Sequence, residues 1–338
     1  MQIPSPQREA ASCTDRADSG RSVFVTTQDG LRLHVREYGQ RTAPALPVVC
    51  LPGLARTVAD FDALAPTLAN GPPQRRVIAI DSRGRGQSDY DSNAENYSLA
   101  VELGDVATVL TALEIGPAVF VGSSRGGILT MLVAVAHPTA IAGGVLHDIG
   151  PVIEPRGLAR IKSYVGKLAQ PRSFAEGGEI LRRLFDAQFP KLSAAQWLAA
   201  AERTWKMDDG ELVPTYDVRL ARTLAEFDIE RPLAPLWNEF GALARVPVLV
   251  IRGANSDILS AETVAVMSAR HPAMEWIEVP DQGHVPQFNQ TVISRVIEFV
   301  AKCEAHNRRA PAAPAQRAAI RPNPFAPAGN GSLRRRQQ

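Results

Sequence analysis

Cysteine is nearly missing from this chain. Its 338 residues hold three, Cys13, Cys50 and Cys303, with no CxxC pair and no zinc-finger spacing. That excludes a disulfide framework and a structural zinc site, and it points to a reducing compartment, so a cytoplasmic location is expected. Long apolar runs are missing too. No stretch approaches the roughly 18 residues a membrane span needs. The opening residues, MQIPSPQREAASCTDRADSG, are polar and lack the apolar segment of an export signal. No membrane association is expected. A one-sided charge is also lacking in the body of the chain. The formal net charge is +2, but seven arginines against one glutamate lie beyond residue 303, which leaves the rest net acidic. The body therefore carries no nucleic-acid signal. Nothing in the composition bears on oligomeric state.

Hydrophobic residues make up 45% of the chain and charged residues 21%, enough for a sizeable core with ordinary surface polarity. The two ends are the exception. Residues 1–20 carry few apolar groups, and 306–338 form a basic tail rich in Pro, Ala and Arg. Neither buries enough apolar surface to offset its ordering entropy, so both are expected to be disordered.

Between the ends, strand and helix patterns alternate. Residues 22–27 and 31–38 alternate in the strand manner around Gln28-Asp29-Gly30, and they predict a hairpin. Short continuous apolar runs follow at 47–51, 76–80, 118–121, 143–146, 246–251 and 274–279, as in strands buried on both faces. Helical spacing separates them at 61–69, 99–113, 126–136, 261–269 and 292–305. This predicts an α/β class with a doubly wound, mostly parallel sheet. Residues 151–243 break the rhythm. They hold no buried strand but several amphipathic pieces (158–168, 174–189, 194–205 and 220–243) and three of the four Trp, at 197, 205 and 237. The expected organisation is a core over 21–150 and 244–305, with an inserted helical lid over 151–243.

The strongest chemical motif is Gly122-Ser123-Ser124-Arg125-Gly126, a G-x-S-x-G between an apolar strand and a helix. A sharp strand-to-helix turn needs small residues two positions either side of its central serine, which selects Ser124 as nucleophile. No GK[ST] follows, so the turn is not a phosphate loop. A serine hydroxyl needs a base. Among six histidines, His34, His137, His271 and His306 lie in unremarkable settings, and His147 reads as structural. His284, in Asp281-Gln282-Gly283-His284 directly after the last apolar run, sits where a loop can carry it to a site at the sheet edge. The third member must be an acid that orients the imidazole. Two Asp fit, Asp257 after the 246–251 run and Asp148 after the 143–146 run. Asp257 is favoured, and Asp148 is the alternative. Backbone N–H groups of Arg125 and of Leu54, in Cys50-Leu51-Pro52-Gly53-Leu54, would form the oxyanion hole.

The set LPGL, DSRGRGQSD, GSSRGG, RGANSD and DQGH resembles the α/β-hydrolase superfamily, in its lidded serine branch, over about residues 22–305. The resemblance implies that Asp81, Arg83, Gly84, Gly86 and Ser88 form a structural turn without a catalytic role. Pro52-Gly53 stands where members often have His-Gly. The Leu146-His147-Asp148-Ile149-Gly150-Pro151 stretch looks like that of small-molecule esterases, lactonases and C–C bond hydrolases. Motifs and resemblance together lead to an expected hydrolase of a small carboxylic ester or lactone, working through an acyl-enzyme without metal or organic cofactor. The alternatives are a C–C bond hydrolase of diketone-like ring-cleavage products and a non-catalytic ligand-binding member of the fold.

Overall fold

A computed structural model of the chain describes residues 20–309 apart from Pro232. Of the segments expected to be disordered, 1–20 and 306–338, residues 1–19 and 310–338 lie outside the described residues, while 306–309 continue the last helix, against the expectation. The strands are β1 (Arg21–Thr26), β2 (Arg32–Tyr38), β3 (Val48–Leu51), β4 (Val77–Ile80), β5 (Ala118–Ser123), β6 (Ile141–His147), β7 (Trp205–Asp208), β8 (Glu211–Pro214), β9 (Val248–Gly253) and β10 (Met274–Val279). The helices are α1 (Leu64–Asn70), α2 (Leu99–Ala112), α3 (Arg125–Ala136), α4 (Pro155–Tyr164), α5 (Phe174–Phe185), α6 (Ala194–Thr204), α7 (Trp237–Gly241), α8 (Ala261–Arg270) and α9 (Gln290–Arg309).

Eight strands form one sheet in the order β1-β2-β4-β3-β5-β6-β9-β10. The pairs β1·β2 and β2·β4 are antiparallel and the rest are parallel. The continuous apolar runs have a direct packing reason. In β3, Val49 and Leu51 face one core layer while Val48 and Cys50 face the other. In β9, Val248 and Val250 face the first layer, and Leu249 and Ile251 the second. With successive side chains on opposite faces and helices over both, every residue of such a strand must be apolar. The layer over one face draws on α2, α3 and α8, the other on α1 and α9. Helix starts carry their own signals: Ser98, Ser173, Ser193 and Ser260 each cap a first turn.

Strand order reverses at β3, and β3, β5 and β6 run side by side through the middle of the sheet. Their C-terminal ends, at Leu51, Ser123 and His147, open onto one edge, the position where α/β sheets hold ligands.

The chain between β6 and β9 departs from an all-helical reading. Helices α4, α5 and α6 form as expected, but β7 and β8 make an antiparallel hairpin. Its two-residue turn, Asp209-Gly210, has positive φ at both positions (44° and 83°). Asp-Gly is the sequence signal for this hairpin, and the amphipathic pattern around it hid that signal. The helix expected over 220–243 is broken into a 3-10 turn (Val218–Leu224) and the short α7. Pro232 and Pro235 cannot donate to a helical ladder, so the interruption has a local cause. Trp197 and Trp205 pack in a core of the insert's own with Leu181 and Phe189. Trp237 belongs instead with the main core and carries the Arg270 guanidinium 4.1 Å from its ring centre. At the other end, α9 continues to Arg309, beyond the expected boundary at 305.

Candidate active site

Ser124 sits at the turn between β5 and α3 with φ 51° and ψ −116°. This left-handed backbone is costly for a residue with a side chain, and it persists because the neighbouring chain leaves no alternative. The flanking glycines explain the motif. A Cβ on Gly122 would stand 2.3 Å from the Gly126 carbonyl oxygen, and one on Gly126 would stand 2.0 Å from the Leu51 carbonyl oxygen. Only hydrogen fits at either position, so the strand, turn and helix can close only with glycine there.

His284 reaches this turn from the loop after β10. Its Nε2 accepts from the Ser124 hydroxyl at 2.8 Å, and its Nδ1 donates to Asp148 Oδ2 at 2.8 Å. The imidazole and the carboxylate are both buried. Gly283 is needed beside His284 for space more than for freedom: a Cβ there would fall 2.5 Å from the Gln188 side chain.

The expected partner of His284 was Asp257, and the structure corrects this. Both Asp257 oxygens are taken by the Arg160 fork on α4, at 2.6 and 2.8 Å. Arg160 outweighs the effect of burial and holds the Asp257 carboxyl below its usual range. The carboxylate beside His284 is Asp148, just past β6, with φ 54° and fully buried. It accepts from Gly253 N–H at 2.8 Å and from the Ser256 hydroxyl at 2.7 Å. The Arg252–Asp257 turn therefore does serve the site, through Gly253 and Ser256 and without its own carboxylate. Strands β6 and β9 are neighbours, so both Asp emerge at the same edge and chain order alone does not separate them.

Distances alone do not make a nucleophile. Ser22, His34 and Asp81 repeat the arrangement, with Ser22 Oγ 2.9 Å from His34 Nε2 and His34 Nδ1 2.7 Å from Asp81 Oδ2. There the serine lies within β1, without a strained turn and away from the cavity that Ser124 lines.

Around Ser124 the backbone is allocated. The Ser124 N–H donates to the His147 carbonyl at 2.9 Å, so it is not a donor to the cavity. Gly53 presses against the serine: a Cβ there would lie 3.6 Å from the Ser124 Cβ. The Leu54 carbonyl accepts from Arg85 Nε at 2.7 Å. Arg85 pairs with Glu102 at 2.7 Å, and Glu102 in turn accepts from Arg125 Nε at 2.7 Å. Arg85 and Glu102 are both fully buried. One ion chain thus joins the loop after β3 to the first residue of α3. The DSRGRGQSD turn has more to do than close a strand. Arg85 stands at one of its variable positions, and only the folded chain puts it between those two segments.

His147 also lines the cavity, with Nδ1 3.1 Å from Ser123 Oγ. Burial pushes its imidazole down from 6.5 to about 4. An unfolded histidine binds its proton near 6.5, so between these values the unfolded chain takes up a proton that the folded one refuses. The resulting stability is present above pH 6.5 and is lost as pH falls toward 4, on the order of 3 kcal/mol in all. Melting temperature against pH for wild type and His147→Gln checks this: the variant's decline across that window is expected to be shallower.

The cavity at Ser124 has a volume of about 570 Å³, the size of a small-molecule site. The core contributes Leu54, Ser124 and His284 to its wall, and the insert contributes Tyr164, Phe185 and Trp197.

A search for known relatives agrees with this architecture. The family model described as alpha/beta hydrolase fold matches residues 47–291. The 3-hydroxybutyrate-oligomer hydrolase of Cupriavidus necator is 35% identical over 279 residues, covering 80% of this chain and 94% of that protein. The 2-(acetamidomethylene)succinate hydrolase of Mesorhizobium japonicum is 26% identical over 255 residues, covering 75% of this chain and 85% of that one. Among solved structures, an alpha/beta hydrolase from Novosphingobium aromaticivorans is 36% identical with a TM-score of 0.77, covering 84% of this chain and 99% of that chain. The chain is an enzyme of the α/β-hydrolase fold family.

Proposed function

We propose that the protein hydrolyses small carboxylic esters by acyl transfer, with Ser124 as nucleophile, His284 as base and then acid, and Asp148 as the carboxylate that orients and stabilises the imidazole. The observation that carries this reading is the unbroken Ser124–His284–Asp148 relay at a strained turn that opens into a cavity. Ser124 Oγ attacks the ester carbonyl as its proton passes to His284 Nε2. His284 returns that proton to the departing alcohol oxygen. A water molecule, deprotonated by the same nitrogen, then attacks the acyl-enzyme, and His284 passes that proton to Ser124 Oγ as the acid is released. The N–H groups of Leu54 and Arg125 hold the oxyanion. The insert over 151–243 acts as a lid whose apolar side chains exclude water.

The relatives give the substrate class a direction. Their names specify a hydroxybutyrate oligomer and a substituted succinate, and an oligomer of a hydroxy acid is joined by ester bonds. Esters of short hydroxy acids fit a cavity of this size. The test is fluorophosphonate labelling followed by mapping of the modified peptide, then a panel of hydroxy-acid ester, lactone and diketone substrates. Labelling at Ser124 and turnover of the ester are expected. Turnover of the diketone alone would move the reading to C–C bond hydrolysis.

The buried Arg85–Glu102 link supports the assignment of the oxyanion donors, because it braces both segments that carry them. Arg85→Met is expected to lower kcat roughly 10- to 100-fold at a temperature where the variant is folded, a fraction of the loss that follows deletion of a donor outright. KM should move less. Stopped assays of initial rate against substrate concentration separate the two.

A further inference from the structure

The cavity beside Ser124 is mostly apolar, but one corner holds a guanidinium that no carboxylate among the described residues engages closely. Arg56 lies in the loop after β3, and its fork takes both oxygens of Asp60, with Nε donating at 2.8 Å to Oδ2 and Nη2 donating to Oδ1. Its remaining nitrogen, Nη1, donates to Thr204 Oγ1 at 3.3 Å. The other acid at this corner, Asp62, is met by Arg36 at 2.8 Å. Each carboxylate already has its own arginine. Arg203, in the last turn of α6, is left over. Its guanidinium reaches Asp60 only at 3.8 Å, through Nε, and makes no hydrogen bond there. Its side chain is 32% exposed, and it lines the cavity. Partial burial and the nearby Arg56 lower its pKa, against the opposing pull of Asp60, Asp62 and Glu202, none of which hydrogen-bonds it.

We propose that Arg203 receives a carboxylate of the substrate, so that the enzyme acts on esters that carry a free carboxylate at the end of the molecule away from the scissile bond. A guanidinium fork matches the two oxygens of a carboxylate. Arg56 contributes by occupying Asp60, which keeps that acid from claiming Arg203. A single guanidinium with acids nearby suits a monoanion and disfavours a phosphate dianion. The insert helix α6 supplies Arg203 and the core supplies Ser124, so an anionic ester would bridge the two halves of the site. This inference rests on the assignment of Ser124 as nucleophile, and the test keeps the two apart.

The experiment compares the linear ester dimer of 3-hydroxybutyric acid, with its carboxylate free, against the methyl ester of the same dimer. kcat/KM is measured for wild type, Arg203→Gln, Arg203→Glu and Arg203→Lys, and each variant is first labelled with a fluorophosphonate. Wild type is expected to prefer the anion. Arg203→Gln should lower the anion-to-neutral ratio roughly 10- to 100-fold, as expected for loss of a charge-assisted pair. Arg203→Glu should lower it further, and Arg203→Lys should restore part of it. A ratio unchanged in the Gln and Glu variants, or an equal loss for both substrates, overturns the proposal and leaves Arg203 as a clamp between insert and core. Absence of labelling at Ser124 in wild type would instead overturn the nucleophile assignment. Inhibition of wild type gives an independent reading: 3-hydroxybutyrate should compete with substrate better than 3-hydroxybutyramide, and equal inhibition by both counts against the proposal.

Discussion

Ser124→Ala is expected to reduce ester turnover by roughly 10⁴- to 10⁶-fold, because the members of a serine–histidine–acid relay act as a unit and what remains is binding and oxyanion stabilisation. The fold should survive. The substitution removes one oxygen that hydrogen-bonds only His284 Nε2, and the backbone strain at φ 51° is set by the turn and is carried by Ala as by Ser. A melting temperature within about 2 °C of wild type is expected, since substitutions away from core packing and buried pairs cost little. The measurements are kcat on a hydroxy-acid ester and calorimetric melting of the same sample. Turnover within tenfold of wild type, in protein free of wild-type contamination, would remove Ser124 from the mechanism.

Asp148→Asn is expected to lower kcat by about 10⁴-fold, whereas Asp257→Asn should change it by only a few fold. The amide at 148 can still meet Gly253 N–H and the Ser256 hydroxyl. It can no longer both accept from His284 Nδ1–H and stabilise the imidazolium that forms as Ser124 is deprotonated. Asp257 faces Arg160, and both side chains are partly exposed. Its loss therefore costs about 1 kcal/mol of stability and leaves the imidazole in place. Parallel assays of the two variants across pH 6–9 decide the matter. The opposite order of effects would return the acid to the end of β9.

Nothing within the chain itself separates Asp148 from Asp257. Asp148 and Asp257 each follow a buried parallel strand, each lie between Ser124 and His284 in the chain, and each sit beside residues suited to a turn. Periodicity places both at the same sheet edge but says nothing of where a side chain points once a strand has ended. Two contacts made only on folding decide it. Arg160, some hundred residues before Asp257, takes that carboxylate from the insert side. Asp148, at positive φ, places its carboxylate 2.8 Å from His284 Nδ1. Arg85 and Arg203 are silent in the sequence for the same reason. Nothing adjacent to either in the chain marks it, and their importance comes from partners such as Leu54, Glu102 and Asp60 that are remote in sequence.

By itself, then, the sequence determined the layered α/β architecture, the position of the nucleophile turn and the histidine loop. Each follows from short-range requirements: period-2 burial on both faces of β3, β5 and β9, glycine where Gly122 and Gly126 admit no Cβ, and helical spacing in α2 and α9. The tertiary structure alone decided which acid meets His284, which buried ion pair braces the loop at Leu54 against α3, and which cation in the cavity meets its carboxylate only at 3.8 Å. Those outcomes depend on the direction and pairing of long polar side chains. A charged side chain is held by whichever opposite charge the fold brings within about 3 Å of it, and that partner is set by how distant segments pack and not by the residues beside it in the chain.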